Sequence, residues 1–449
     1  MSSRSFAQSL PAASQSLRRL MPESARAIIT NSMSMAGTTL VTAALGAAFW
    51  WVAAREFPRE AVGVAGAAVS AMTLIATVAT MGLNTLLMGE LPGRPGRPGP
   101  FITAALVATA TAGTLLGLLL AVILPLISPE LQPLSADVGA ALLFAAGVAL
   151  AAMGLVFDQA LIGLLQGNLQ LWRNTLFASS KLLALVLVAV LLTIRSSMTL
   201  YGIWALGNMI SLGWIAAREM RLQRGWRGFA PDLSTLRGIH KSAAGHQVFN
   251  LALKTPMLAL PIIVVALLSA KANASFYIAF MIAGFVYMIP IAFATVLYAV
   301  GSGDARTRAG KFRLSFGITV STSVAATVII FAGASIMLGI FGSRYAHEAA
   351  WALRVLALTS FPLIVKNHFV AIARVTGRIR ATAPYVWLAT MLELTLAAEG
   401  ARVDGITGLS IGWTIALSVE ALLMGRTVYR TLFPVEPDRV SAVGQPKAT

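Results

Sequence analysis

Uncharged stretches long enough to cross a lipid bilayer recur along this 449-residue chain, and they constrain its fold more than any other feature. Residues 101–127 (FITAALVATATAGTLLGLLLAVILPLI) and 138–157 (VGAALLFAAGVALAAMGLVF) contain no Asp, Glu, Lys or Arg. A helix needs about 20 apolar residues to span a hydrocarbon core, where a helical backbone satisfies its polar groups within one segment. Such segments fall near 31–53, 62–88, 101–127, 138–165, 174–194, 200–217, 245–269, 275–300, 314–341, 349–373, 382–398 and 405–425. A water-soluble core could not absorb so many uncharged helices. The chain therefore reads as all-α and polytopic, with about twelve transmembrane helices.

Composition agrees. Only 11% of residues are charged, against roughly 25% in a soluble domain. The absence of cysteine excludes a disulfide framework, thiolate zinc sites and thiol catalysis. A net charge of +17 would suggest nucleic acid in a soluble chain, but here its location argues for orientation instead. On one side of the expected spans lie 24 Lys and Arg, among them Arg173 in the connection before the fifth span and six in the loop 218–244; the opposite connections hold only Arg55, Arg59, Arg195, Lys271, Arg344 and Arg402. The positive-inside rule places the basic side, and with it both termini, in the cytoplasm. No secretory signal peptide is recognised. Residues 1–30, with Arg4, Arg18, Arg19 and Arg26 among Leu10, Leu17, Leu20 and Ile28, read either as a cytoplasmic arm against anionic lipids or as a disordered tail.

The basic loop 218–244 follows the sixth span and divides the chain into an N-lobe (31–217) and a C-lobe (245–427), with a tail over 428–449. Each half opens from the same side, so a duplication would be parallel, about an axis along the membrane normal. Two facing six-helix lobes imply a cavity opening alternately to either side, as in a transporter. The inventory for catalysis is poor. There is no Walker A sequence, and His240, His246, His347 and His368 have no metal-ligand spacing. Neither an enzyme activity, a cofactor nor a nucleic-acid partner is expected. The stretch PGRPGRPGP at 92–100 reads as a stiff basic connector. Gly408-xxx-Gly412 matches a close helix-packing motif in a chain of 38 glycines.

A charge inside a span costs about 2.5–3.5 kcal/mol on insertion scales, which makes such residues the leading site candidates. The cations are Lys181, Lys254, Arg354 and Lys366; the anions are Asp158, Glu393 and Glu420. Lys254 lies well inside the seventh span, followed by Pro256 and Pro261. Prolines bend a helix and free carbonyls where a span lines a cavity. Lys254 is read as a contact for an anionic headgroup, against snorkelling or an ion pair. Arg354 is read either as a cavity residue or as a partner of Glu348. In Lys366-Asn367-His368, at least one side chain must face protein or water. Glu393 is read as a helix pair or a proton-coupling group. Lys181, Asp158 and Glu420 read as interfacial. In the first span Asn31, Ser32, Ser34, Thr38, Thr39 and Thr42 recur at helical spacing, suited either to a sugar path or to bonding a neighbouring helix. Trp50 and Trp51 fit an interfacial aromatic belt.

Two stretches carry a resemblance. Residues 37–92, with Phe49, Glu60, Gly63, Gly82 and Leu83, are similar to the opening hairpin of bacterial polysaccharide exporters. Residues 336–380, with Phe341, Gly342, Tyr345, Gly377 and Arg378, resemble the same family's entry to the tenth span and the turn after it. The family is that of the oligosaccharide-lipid flippases, in the superfamily that also holds the multidrug-and-toxin extruders. The resemblance implies a MATE-like fold and a flippase that moves a polyprenyl-pyrophosphate-linked oligosaccharide across the cytoplasmic membrane. Its partners would be that anionic lipid-linked sugar, membrane lipids, and polymerase or glycosyltransferase machinery. Lys254, Lys366, Arg354, Asn31 and Thr38 are then the candidate cavity residues and Glu393 the candidate coupling residue. Two departures narrow the field. Lipid II flippases usually have fourteen spans, and drug extruders often carry an acidic residue in the first span, which 31–53 lacks. The alternatives are a cation-coupled exporter of amphipathic molecules, using Asp158, Glu393 or Glu420, and a scaffold or integral glycosyltransferase.

Overall fold

The computed structural model describes residues 23–93, 98–222, 230–232, 240–300 and 305–433. The described residues contain helices and no β-strand. They divide into two compact units, Met1–Gln247 and Val248–Thr449.

The first unit is built on α1 (Glu23–Glu56), α2 (Arg59–Ala79), α3 (Leu83–Glu90), α4 (Pro98–Ile127), α5 (Val138–Gly163), α6 (Gly167–Leu191) and α7 (Ser197–Leu222). The second span is not one helix through 62–88. Met81 (φ 49°) and Gly82 (φ 81°) are left-handed, so helical hydrogen bonding stops after α2 and restarts in α3. Asp137 opens α5 by accepting the Ala140 amide at 2.7 Å, satisfying one of the donors that a helix start leaves unpaired. The turn from α5 to α6 is tight, with Leu165 in the left-handed region. The expected arm over 1–30 and much of the central loop lie outside the described residues, although α1 already begins at Glu23.

The second unit contains α8 (His240–Leu267, from Val248 on), α9 (Ala270–Val300), α10 (Ala305–Gly339), α11 (Ser343–Leu358), α12 (Ser360–Val375) and α13 (Ile379–Leu432). The tenth span is α11 and α12 in succession, divided at Thr359. The 54-residue α13 is two limbs, because Asp404 (φ −144°) and Gly405 (φ 55°) leave helical geometry. Glycines press the limbs together. A Cβ on Gly400 would lie 2.0 Å from the Gly408 carbonyl oxygen, and one on Gly412 would lie 2.0 Å from that of Leu396. Gly408-xxx-Gly412 is thus a packing surface, with its partner face at 396–400. Eleven helical stretches among the described residues are long and apolar enough to cross a membrane. The break in α13 divides the last of them, giving the twelve expected. The fold is that of a multi-pass membrane protein.

Candidate functional site

In the second unit, helical periodicity puts Leu363, Lys366, Asn367, Val370 and Arg374 on one stripe of α12, at offsets of three, four, seven and eleven residues. That stripe lines a cavity of about 210 Å³, together with Lys254 and Pro256 of α8, Ile291 of α9, and Glu393 and Trp413 of α13. The structure therefore brings together Lys254, Lys366 and Glu393, three of the residues expected to carry function.

Within the cavity the charges sort into two sets. Lys366 is buried and pairs with both Glu393 and Glu420, the latter at 2.9 Å. The second Glu393 oxygen accepts the Trp413 indole N–H at 2.6 Å. Both limbs of α13 thus meet one ammonium, which their glycine contact makes possible. A buried charge left unpaired would cost several kcal/mol; two carboxylates sharing one cation leave this cluster one formal negative charge in excess. Lys254 differs. Its side chain is exposed, and among the described residues it has no acidic partner. Arg374 lines the same cavity and donates to Asn250 Oδ1 at 2.9 Å. His368 turns away from the pair, its Nδ1 lying 2.8 Å from the Ile364 carbonyl and its Nε2 3.5 Å from Ser315 Oγ.

Several expected placements change. Glu420 is not interfacial: α13 runs on to Leu432, so the residue sits a few turns inside the helix and is buried. Lys181 is not interfacial either, lying midway along the 25-residue α6. Its ammonium faces Trp204, Phe177 and Phe49, with ring centroids at 3.3, 4.6 and 5.2 Å. Such an aromatic box stabilises a cation by about 0.5–2 kcal/mol. Asp158 pairs at 2.6 Å with Arg173, which is buried inside α6 rather than in a loop, and Asn174 adds a bond at 3.1 Å. Arg354 is not in the Lys254–Lys366 cavity and pairs with no carboxylate among the described residues. It donates to the Phe331 carbonyl at 3.2 Å and lies 4.8 Å from the Trp351 ring, while Glu348 accepts from Ser275 at 2.8 Å. Trp50 is buried against Phe49 and Trp204, and only Trp51 is exposed as a belt residue would be.

In the first unit, Thr38 donates to the Ser34 carbonyl at 2.8 Å, and the Ser34 hydroxyl reaches Asn168 of α6 at 2.5 Å. At Ser34 the polar face of the first span is thereby used between helices, whereas Thr38 bonds within its own helix. The side chain of Asn31 lies outside the described residues. Residues that sequence reasoning missed were Trp413, Arg374 and Asn250, whose roles depend on contacts between segments distant in sequence. The one legible signal was the Arg374–Arg378–Arg380 cluster closing the tenth span. Among the described residues no group of His, Asp or Glu forms a metal site.

Comparison with solved structures identifies the architecture. The chain is similar to an inward-facing multidrug resistance MATE family transporter of the MOP superfamily, with a TM-score of 0.64 and 17% identity over 87% of this chain and 94% of that one. It is similar to an outward-facing form of such a transporter at a TM-score of 0.59 and 16% identity, over 90% and 95% of the two chains. A MOP superfamily transporter from Pyrococcus furiosus, described as having reversed polarity in its binding pocket, matches at 0.60 and 15% over 90% and 96%. No family model matches the sequence, and no curated protein matches it. At these identities the likeness establishes the fold: the chain folds as a MATE-like protein.

Proposed function

We propose that this protein is a transporter that moves a polyprenyl-pyrophosphate-linked oligosaccharide across the cytoplasmic membrane by alternating access, with both termini in the cytoplasm. The observation that carries this reading is Lys254. It stands in the second-unit cavity beside Arg374 and Asn367 with no acidic partner among the described residues, while both Glu393 oxygens are taken by Lys366 and Trp413. A site with an available ammonium and an engaged carboxylate favours an anionic headgroup over a cationic drug. A pyrophosphate would accept hydrogen bonds from Lys254 and Arg374, and charge-assisted bonds of this kind are about twice as strong as neutral ones. The MATE-like fold supports the transporter class. Polymerase or glycosyltransferase machinery would supply and consume the substrate.

One observation favours a second reading, a cation-coupled exporter: two buried carboxyl groups, Glu393 and Glu420, share the single Lys366 ammonium. Extraction and sizing of lipid-linked oligosaccharides from cells with and without the protein separates the two. Accumulation of completed intermediates on loss is expected, with the same accumulation in a Lys254→Ala variant of unchanged membrane abundance. Unchanged intermediates with new sensitivity to cationic drugs would transfer the assignment to the exporter. Normal export by an equally abundant Lys254→Ala protein would remove Lys254 from the site.

A further inference from the structure

A second cavity in the Val248–Thr449 unit, of about 410 Å³, lies between α10, α12 and the last turns of α13. Its walls are Phe316, Val365, Val428 and Leu432, which pack into one apolar cluster with Phe312 and Ile372. Gly317 and Gly425 also line it, and a Cβ on either would meet nothing within 4 Å. Neither position puts a side chain into the groove. Its rim is aromatic and exposed: Tyr429 and Phe433 have ring centroids 5.1 Å apart. Arg313 stands at the same rim, exposed, its guanidinium 5.9 Å from the Phe433 ring and without a carboxylate partner among the described residues.

Chain connectivity puts this rim at the end of the unit where α10 begins and α12 and α13 meet, the end that also carries Lys311, Arg374, Arg378, Arg380, Arg426 and Arg430. In a membrane protein this is the basic side, which faces the leaflet rich in anionic lipid. The chemistry runs from apolar floor through aromatic belt to cation over a few residues, the same order as acyl chain, glycerol and phosphate. We propose that the groove is a binding site for one anionic phospholipid of the cytoplasmic leaflet, an acyl chain lying over Gly317 and Gly425 and the headgroup phosphate on Arg313. The inference needs only that the chain spans a membrane and stands independently of the substrate proposed above.

The test is thermal unfolding of the purified full-length protein in neutral detergent, with phosphatidylglycerol or phosphatidylcholine added. Phosphatidylglycerol in about 100-fold excess over its Kd should raise the melting temperature of the second unit, a domain of roughly 200 residues, by roughly 5–10 °C more than phosphatidylcholine does. Gly425→Leu, which fills the groove, should abolish the increment. Arg313→Gln should reduce phosphatidylglycerol to the effect of phosphatidylcholine. Phe433→Ala leaves the groove empty and removes one wall of the rim, so it should weaken the increment even if Gly425→Leu fails to fold. Equal shifts with both lipids in the wild type, or an undiminished difference in the folded variants, would overturn the proposal. A wild-type dimer that Gly425→Leu converts to monomer would assign the groove to a second copy and overturn it as well.

Discussion

Removal of Lys366 should destabilise the second unit more than any other single charge removal there. Its ammonium stands between two buried carboxylates, Glu393 and Glu420, whose side chains are each 2% exposed. Lys366→Met keeps a long unbranched side chain in the same space and leaves both carboxylates without their counter-charge. Breaking a buried pair in this way costs about 3–5 kcal/mol. For a domain of roughly 200 residues, where 1 kcal/mol corresponds to about 2–4 °C, the melting temperature should fall by roughly 6–20 °C. The assay is far-ultraviolet circular dichroism of the full-length protein in detergent. The triple variant Lys366→Met/Glu393→Gln/Glu420→Gln separates loss of charge balance from loss of packing. Replacing a whole buried charge network by neutral groups is often neutral or stabilising, and the amide oxygen introduced by Glu393→Gln can still accept from Trp413. The triple variant should therefore melt closer to wild type than the single one does. A single variant within about 3 °C of wild type, or a triple variant less stable than the single, would refute the reasoning.

Gly400→Ala places a methyl group 2.0 Å from the Gly408 carbonyl oxygen. Because that obstacle is backbone, the limbs of α13 must separate, at a cost of about 1–3 kcal/mol or more. Gly46→Ala, whose Cβ would meet nothing within 4 Å, is the matched control and should be neutral or stabilising by up to about 1 kcal/mol; equal melting of the two variants would contradict the close-packed hairpin. Lys181→Met forfeits about 0.5–2 kcal/mol of cation–π attraction but also removes a buried ammonium whose effective desolvation cost is several kcal/mol. The variant should melt at or above the wild-type temperature, and a clear fall would mean that the aromatic box more than offsets that cost.

The misplaced charges share one cause. Charge density along the sequence drops some residues inside the true helix ends, because several helices continue past the uncharged stretch. Counted from residue 174, Lys181 is near an end; counted from the helix that begins at Gly167, it is in the middle. Glu420 shifts inward likewise because α13 extends to Leu432. Arg173 read as a loop residue because the turn at 164–166 is too short to show in a hydropathy profile, yet it is buried and paired to Asp158.

What the sequence determined by itself was the solvent and the number of crossings. A hydrocarbon core imposes its demand on each segment separately: enough apolar residues in a row, with charges gathered at the ends. No knowledge of neighbouring helices is needed to read that, and even the break at Asp404–Gly405 was visible in the charged cluster around it. What only the tertiary structure decided was which charges meet. Lys366, Glu393, Trp413 and Glu420 stand on α12 and on both limbs of α13, and their meeting depends on a hairpin closed by glycines at 400, 408 and 412. Lys254, from α8, enters the same cavity without sharing in their pairing. An ion pair is set by distances of a few ångströms between helices distant in sequence, and nothing in the local pattern distinguishes a lysine that is paired from one left available.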